Sequence, residues 1–105
     1  YVIDRNINKN LQTPNFVLRL TKMIDQFDLA VAESKNLSEK PSNETLLLLY
    51  SLYKQATSGD CDVEAPSNPF DFVAKAKYDA WNSLKGNTKE HAMKEYIDLV
   101  NKLKG

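Results

Sequence analysis

From residue 50 to residue 57 the chain reads Tyr-Ser-Leu-Tyr-Lys-Gln-Ala-Thr, and from residue 75 to residue 82 it reads Lys-Ala-Lys-Tyr-Asp-Ala-Trp-Asn. Each block places aromatic rings and lysine on a mostly apolar surface at helical spacing. A ligand with a ring, phosphate groups and an apolar tail suits such a surface, because lysine pairs with phosphate and rings stack. The two blocks therefore predict two helices whose surfaces suit such a ligand, although packing at the edge of a core would also explain the tyrosines.

Signals for helix ends lie on both sides of the first block. Pro41-Ser42-Asn43 precedes it and Gly59-Asp60 follows it, which predicts a helix from about residue 43 to residue 57. Residues 58–68 then form a loop that contains Pro66. This segment is the second predicted helix of the chain.

The second block belongs to a third predicted helix, and a fourth helix follows it. Asn68-Pro69 starts the third helix and Lys85-Gly86 ends it. Residues 87–90 have an Asn-x-x-Glu spacing close to a capping box, which predicts a fourth helix that ends near Leu103. This helix has an apolar stripe of Ala92, Tyr96, Leu99, Val100 and Leu103.

The first helix is predicted to begin at Thr13-Pro14, with Thr as the cap and Pro at the first helical position. It is either one helix that ends near Leu37 or two pieces with a break near Asp25. Its apolar positions are Phe16, Leu20, Met23, Ile24, Phe27 and Val31. Because no segment alternates as a strand would, the sequence predicts an all-α four-helix bundle.

The second and third predicted helices have features that packing into a single core does not require. Lys77 lies in the middle of the third-helix stripe, where a lysine must reach solvent or meet an anion. The other members of this stripe are Phe70, Val73, Ala80, Trp81 and Leu84. The second helix has five leucines that surround most of its circumference: Leu46, Leu47, Leu48, Leu49 and Leu52. Either this helix is packed on several sides, or part of it lines an apolar groove.

Composition narrows the function classes. The 105 residues carry a formal net charge of +0, which argues against a nucleic-acid binder or a polybasic membrane-surface protein. The longest apolar run, Leu46 to Tyr50, is too short to cross a bilayer. Cys61 and His91 are the single residues of their kinds, which excludes a disulfide within the chain and argues against a zinc site built from Cys and His.

Five motifs together resemble the acyl-CoA-binding protein family. They are Phe27-Asp28-x-Ala30, Lys35-Asn36-Leu37, Tyr50-x-x-Tyr53-Lys54-Gln55-Ala56-Thr57-x-Gly59-Asp60, Lys75 to Asn82, and Ala92-Met93-x-x-Tyr96-Ile97. The resemblance extends from about Asp25 to Lys104. It implies an up-down-down-up four-helix bundle and a non-catalytic carrier of long-chain fatty acyl-CoA esters that has no cofactor.

The resemblance also implies roles for particular residues. Tyr50, Lys54 and Lys77 match the residues that hold the ribose 3′-phosphate, and Tyr53 matches a ring beside the adenine nucleotide. Tyr96 matches a fourth-helix tyrosine that closes on the ligand. Lys35 matches a lysine near the phosphates, and Leu46 and Leu47 match apolar positions beside the acyl groove.

The domain organisation is predicted as an N-terminal extension at 1–24, an arm that could lengthen the first helix, and an acyl-CoA-binding domain at 25–105. The leading expectation is a monomeric cytoplasmic carrier that delivers acyl-CoA to enzymes. The alternative is the same module within a larger protein, such as an enoyl-CoA isomerase fusion or a membrane-anchored member, in which case a mitochondrial or peroxisomal location is also open. A helical protein-interaction module is a more distant alternative, because the second helix offers apolar surface.

Overall fold

The computed structural model describes residues 15–105, apart from the side chain of Phe16, and this part of the chain is all-α. Its four helices are α1 (Asn15–Ser34), α2 (Asn43–Ser58), α3 (Phe72–Asn82) and α4 (Lys89–Lys104). None of them is long and apolar enough to cross a membrane. The predicted fold class is confirmed.

The first helix is a single helix. It passes through Asp25 without interruption and ends at Ser34, so the alternative with a break is wrong and the end near Leu37 was placed three residues too late. The predicted start at Thr13-Pro14 lies outside the described residues. Because α1 runs through residues 24 and 25, the backbone conformation does not change at the boundary predicted between extension and domain.

Side-chain caps begin the other three helices. The acceptors are Ser42, Asp71 and Thr88, and each accepts a hydrogen bond from the backbone N–H three residues later. Such caps satisfy N–H groups that the first helical turn leaves without partners. At the other end of α2, the N–H of Gly59 donates to the Gln55 carbonyl with a φ of 84°, a left-handed conformation that favours glycine.

Two predicted helix starts were wrong by a few residues. α3 begins at Phe72 rather than after Pro69, because the Asn68 side chain accepts from the Phe70 N–H and forms a separate turn first. α4 is capped by Thr88 rather than Asn87, whose side chain instead contacts His91 and Glu95. α3 also ends early, at residue 82, and tighter i−3 hydrogen bonds continue from there towards residue 86.

Helix α4 packs against both α1 and α2. The Phe27 and Tyr96 rings meet near the middle of α1 and α4, and Glu33 pairs with Lys104 near their C-terminal ends. Contacts therefore advance in the same direction along both helices, so α1 and α4 are parallel. In contrast, the Gln55 side chain at the end of α2 donates to the Asn87 carbonyl just before α4, which makes these two helices antiparallel.

Helix α3 packs on α2 and on no other helix of the described chain. Tyr50 contacts Lys77, and about one turn further along both helices Lys54 contacts Trp81. These two helices are therefore parallel, and the order is up-down-down-up. Because α3 has only α2 as a helix partner, one side of the α2/α3 contact stays open.

The core lies where α1, α2 and α4 meet. Its buried apolar residues are Phe27, Ala30, Leu49, Leu52, Ala56, Ala92, Tyr96 and Val100, and Leu99 and Leu103 pack against them. The predicted α4 stripe is confirmed. The predicted α3 stripe is wrong at Phe70 and Val73, which are exposed, because α3 has no second helix to cover them.

Candidate functional site

A groove of about 380 Å³ lies between α2 and α3. The residues that line it are Asn43, Leu46, Leu47, Tyr50, Phe72, Val73, Ala76 and Lys77. We call it the α2/α3 groove. Its lining is mostly apolar. The Tyr50 ring and the Lys77 ammonium group lie at the end nearer the C-termini of the two helices. Ligand sites commonly combine an apolar lining with a few polar groups.

Two other concavities of about 400 and 460 Å³ lie along α1 and α4, and they are less suitable. Both include Glu33 and Lys104, whose charges are 2.9 Å apart and therefore satisfy each other. Neither has an aromatic residue in its lining. Of these three sites, the α2/α3 groove alone combines a ring, a cation and an apolar wall.

Two lysines at one end of the groove rest on aromatic rings. The Lys77 Nζ atom lies 5.3 Å from the centre of the Tyr50 ring, and the Lys54 Nζ atom lies 4.8 Å from the centre of the Trp81 ring. Within residues 15–105 neither ammonium has a carboxylate within 4.0 Å, whereas the neighbouring Lys75 is paired with Asp79. Cation–π contact orients both lysines and leaves their charge available to an anion.

The groove changes character along its length because α2 and α3 are parallel. Lys54 lies in the C-terminal half of α2 and Lys77 at the middle of α3, both further along their helices than the apolar lining. Towards the N-terminal ends, Leu46 and Leu47 of α2 face Phe72 and Val73 of α3. A ligand that fits this order has a negatively charged end beside the lysines and an apolar end beside the leucines.

Trp81 is held in place by a hydrogen-bonded cluster at the C-terminal end of α2. Its indole Nε1 donates to the Gly59 carbonyl at 2.9 Å. Next to it, an Asp60 carboxylate oxygen accepts from the Gly86 N–H at 2.9 Å and from the Gln55 side chain at 2.8 Å. These two bonds hold the pKa of Asp60 below its usual value, and the bond from Gly86 has the larger effect. The loops that end α2 and α3 are thereby joined beneath Lys54.

The two remaining tyrosines lie outside the groove lining. Tyr53 is 41% exposed, and its ring stacks on Phe27 with centres 6.1 Å apart. Tyr96 is 4% exposed, and its ring contacts the Phe27 ring edge-on. Its hydroxyl donates a hydrogen bond to Ser34 Oγ at 3.0 Å. Tyr53 is thus accessible to a ligand near Lys54, whereas Tyr96 supports the core in this structure.

The structure brings together five of the eight predicted site residues. Four of them line the groove, namely Leu46, Leu47, Tyr50 and Lys77, and Lys54 lies one turn beyond Tyr50. Lys35 is exposed just after α1 and is not part of the groove lining. The roles of all eight residues in binding remain predictions.

Sequence reasoning missed four residues of the lining. They are Asn43, Phe72, Val73 and Ala76. Of the three on α3, Val73 lies one turn before Lys77 on the same face, whereas Phe72 and Ala76 are five residues and one residue before it. Val73 was interpreted as part of a core stripe, and Phe72 and Ala76 were not singled out. Among residues 15–105 no cluster of metal-binding side chains occurs.

Comparison with known proteins gives one consistent result. The family model described as acyl CoA binding protein matches residues 24–100. Over 77 residues the chain is 48% identical to the acyl-CoA-binding protein of Dictyostelium discoideum. This match covers 73% of this chain and 90% of that protein. It is 51% identical over 77 residues to enoyl-CoA delta isomerase 2 of Rattus norvegicus, but the match spans only 19% of that longer protein.

Among solved structures, that of Oryza sativa acyl-CoA-binding protein 2 matches with a TM-score of 0.73 and 40% identity. The match covers 77% of this chain and 89% of the rice chain. At this identity the likeness covers sequence as well as fold, and it includes the helices that form the α2/α3 groove. The resemblance inferred from the motifs is confirmed, and the chain belongs to the acyl-CoA-binding protein family.

Proposed function

We propose that this protein binds medium- to long-chain fatty acyl-CoA esters and carries them without catalysis. The observation that supports this most strongly is the order of groups along the α2/α3 groove. Two lysines, which have no carboxylate partner in the part of the chain that the structure describes, lie at one end, and the leucines, phenylalanine and valine lie at the other. An acyl-CoA ester has the same order, with phosphates at one end and a hydrocarbon tail at the other.

At the charged end, we assign the ribose 3′-phosphate to Tyr50, Lys54 and Lys77. Ammonium and phenol groups donate charge-assisted hydrogen bonds to phosphate oxygens, which are stronger than bonds between neutral groups. Both ammonium groups already lie over rings, Lys77 over Tyr50 of α2 and Lys54 over Trp81 of α3, so little reorganisation is required. The exposed ring of Tyr53 is available to stack on adenine, and Lys35 adds a positive charge that we assign to the remaining phosphates.

At the apolar end, Leu46 and Leu47 contact the acyl tail. Each methylene that leaves water contributes about 0.8 kcal/mol, so the tail supplies much of the affinity. For Tyr96 we propose a contribution through its ring, because its hydroxyl already donates to Ser34. The full proposal is a monomeric intracellular carrier that buffers acyl-CoA in the cytoplasm and delivers it to enzymes that use it.

Isothermal titration calorimetry tests this function directly. We expect one-to-one binding of palmitoyl-CoA at micromolar concentration, and much weaker binding of palmitate or of CoA alone, because each supplies only one half of the ligand. Palmitoyl-CoA without its 3′-phosphate should bind less tightly than the intact ester. Absence of palmitoyl-CoA binding at these concentrations would refute the proposal.

A further inference from the structure

The outward face of α1 carries a regular stripe of apolar and charged residues. Its members are Leu18, Lys22, Asp25 and Leu29, and we call them the α1 stripe. They follow one another at spacings of four, three and four residues, which places them on one side of a helix. All four are exposed, the two leucines by 57% and 59%.

The α1 stripe lies opposite the core. Phe27 comes nine residues after Leu18, which is two and a half helical turns, so the two side chains leave α1 in opposite directions. Phe27 is buried, and its ring contacts Tyr96 of α4 and Tyr53 of α2. The rest of the bundle therefore lies on the side of α1 that faces away from the stripe, and the two leucines are left in water, where apolar surface costs free energy.

The two charges in the middle of the α1 stripe are available to a partner. Neither Lys22 nor Asp25 has an oppositely charged group within 4.0 Å among residues 15–105. A partner that fits this surface supplies an acid, a base and two apolar side chains. A second copy of the α1 stripe has this composition.

The order of residues in the stripe is complementary to itself. When two copies of α1 lie antiparallel, with a two-fold axis between residues 23 and 24, Leu18 of each copy meets Leu29 of the other. In the same arrangement Lys22 of each copy meets Asp25 of the other, so every contact occurs twice. Parallel copies would instead place lysine beside lysine and aspartate beside aspartate, which like-charge repulsion disfavours.

A hollow beside Leu29 has room for a leucine of the second copy. It is the concavity of about 460 Å³ between α1 and α4, and α1 contributes Gln26, Leu29, Ala30 and Glu33 to its lining. These four positions have the spacing of a hole that accepts one side chain in the packing of two helices. The antiparallel arrangement brings Leu18 of the second copy to the same height on α1.

The small size of the α1 stripe makes the pairing weak. A stable specific interface buries about 800 Å² from each partner, which is more than four side chains on one helix cover. The monomer of the proposed function therefore predominates at micromolar concentration, and the pair forms at higher concentration. No residue of the stripe lines the α2/α3 groove, so the groove stays open in the pair.

We propose that the outward face of α1 is a self-association surface, on which two copies of the chain pair reversibly and antiparallel through the α1 stripe. Burial of leucine supplies the affinity, and the two contacts between Lys22 and Asp25 fix orientation and register. Leu18 and Lys22 precede residue 24, where the match to the family model begins, so half of this surface lies outside the part that matches the family. The inference does not rest on the proposed function.

Charge reversal in the middle of the stripe tests the pairing. The two single variants are Lys22→Asp and Asp25→Lys. Lys75→Asp is the matched control, because it makes the same change of charge as Lys22→Asp on an exposed position of α3. Sedimentation velocity from micromolar to millimolar concentration measures self-association, and circular dichroism checks that each variant is folded.

We expect wild type and Lys75→Asp to self-associate as concentration rises. Each stripe variant should self-associate at least about tenfold more weakly, because two like-charge contacts replace two attractive ones. An equimolar mixture of Lys22→Asp and Asp25→Lys should pair again, because opposite charges then meet at both contacts. Leu18→Ser should weaken the self-association of the wild-type stripe by about tenfold, since it removes both leucine contacts.

Three results would each overturn the proposal. They are a wild type that stays monomeric at millimolar concentration, undiminished self-association of the single variants, and a mixture of the two folded variants that does not pair. Self-association that Lys75→Asp abolishes would overturn it in favour of a surface on α3.

Discussion

At the scale of single residues, the decisive feature is that Lys54 and Lys77 rest on rings and that neither has a carboxylate partner among residues 15–105. A lysine paired with an acid would have to break that pair before it could bind phosphate. The contacts to Trp81 and Tyr50 avoid this cost, because a ring attracts the ammonium and still leaves its N–H donors free. Lys75, two residues before Lys77, shows the opposite arrangement with Asp79.

The first prediction concerns these lysines and Tyr50. Lys77→Ala, Lys54→Ala and Tyr50→Ala should each weaken palmitoyl-CoA binding by about 1–3 kcal/mol, with little loss of fold, because each removes a hydrogen bond to a charged group. Lys75→Ala is the matched control and should bind normally. Calorimetry measures the affinities, and circular dichroism checks the fold.

The effects of these substitutions should not add, because the three groups share one phosphate. Removal of the 3′-phosphate from the ligand should reproduce the effect of the variants. If Lys77→Ala binds normally while the dephosphorylated ligand binds poorly, the phosphate site lies elsewhere.

A second prediction concerns Asp60 and pH. Because the folded-state pKa of Asp60 lies below its usual value of 3.8, the carboxylate stabilises the fold above that pH, and this contribution is lost as the pH falls through the lower folded-state pKa. Asp60→Asn should therefore be less stable than wild type at neutral pH. The difference between the two should shrink as the pH is lowered through that window.

Urea unfolding of wild type and Asp60→Asn at a series of pH values measures this difference. The comparison cancels the titration of the other carboxylates, which both proteins share. A difference in the free energy of unfolding that is independent of pH would show that the charge of Asp60 is irrelevant to the network with Gly86 and Gln55.

At the scale of helices, local signals predicted some features and tertiary packing decided others. The bounds of α2 were predicted within one residue, because Ser42 and Gly59 act through bonds to neighbouring residues. The start of α3 was missed because the Asn68 side chain forms a turn that competes with the helix. The groove lining on α3 was missed because the side of α3 that faces α2 is set by how the two helices pack, which no residue of α3 encodes alone.

For Tyr96, the sequence predicted a position on the apolar face of α4 but not the residue that its hydroxyl contacts. Its central place on the apolar face of α4 was predicted, and burial bears this out. Its hydroxyl partner, Ser34, is 62 residues away in the chain, and no local pattern announces such a pair. The sequence therefore predicted the position of this residue on its helix, but not the contact that joins α4 to the end of α1.

A third prediction tests this link between α1 and α4. Tyr96→Phe should lower the free energy of unfolding by about 1 kcal/mol, because it removes one hydrogen bond and keeps the ring against Phe27. Ser34→Ala should cost a similar amount, and the double variant should cost less than the sum. Palmitoyl-CoA affinity should change little in Tyr96→Phe.

Denaturant unfolding and calorimetry on the same variants separate the two roles of this tyrosine. A large loss of affinity in Tyr96→Phe at unchanged stability would show that the hydroxyl contacts the ligand rather than Ser34. The ring itself is unaltered in this variant, so a contribution of the ring to ligand binding is compatible with either result.

At the scale of the whole molecule, three helices form the core and α3 lies on one of them. This division lets α2 serve two surfaces, with Leu49 and Leu52 in the core and Leu46 and Leu47 in the groove. This double use explains four of the five leucines on α2, whereas Leu48 is exposed and belongs to neither surface. An interaction module with α2 as a docking face would use the same leucines, but it would not need lysines on rings at the end of the groove.

The most direct test of the central claim is the affinity of the protein for CoA esters that range from four to about twenty acyl carbons, measured for wild type and for Leu47→Asn. If the α2/α3 groove holds the tail, affinity should rise steeply by up to about 0.8 kcal/mol for each buried methylene, roughly fourfold, and then reach a plateau when the groove is full. Leu47→Asn should flatten the rise and leave binding of free CoA nearly unchanged. An affinity that does not depend on chain length would contradict the account, because the apolar side of α2 and α3 would then have no contact with the tail.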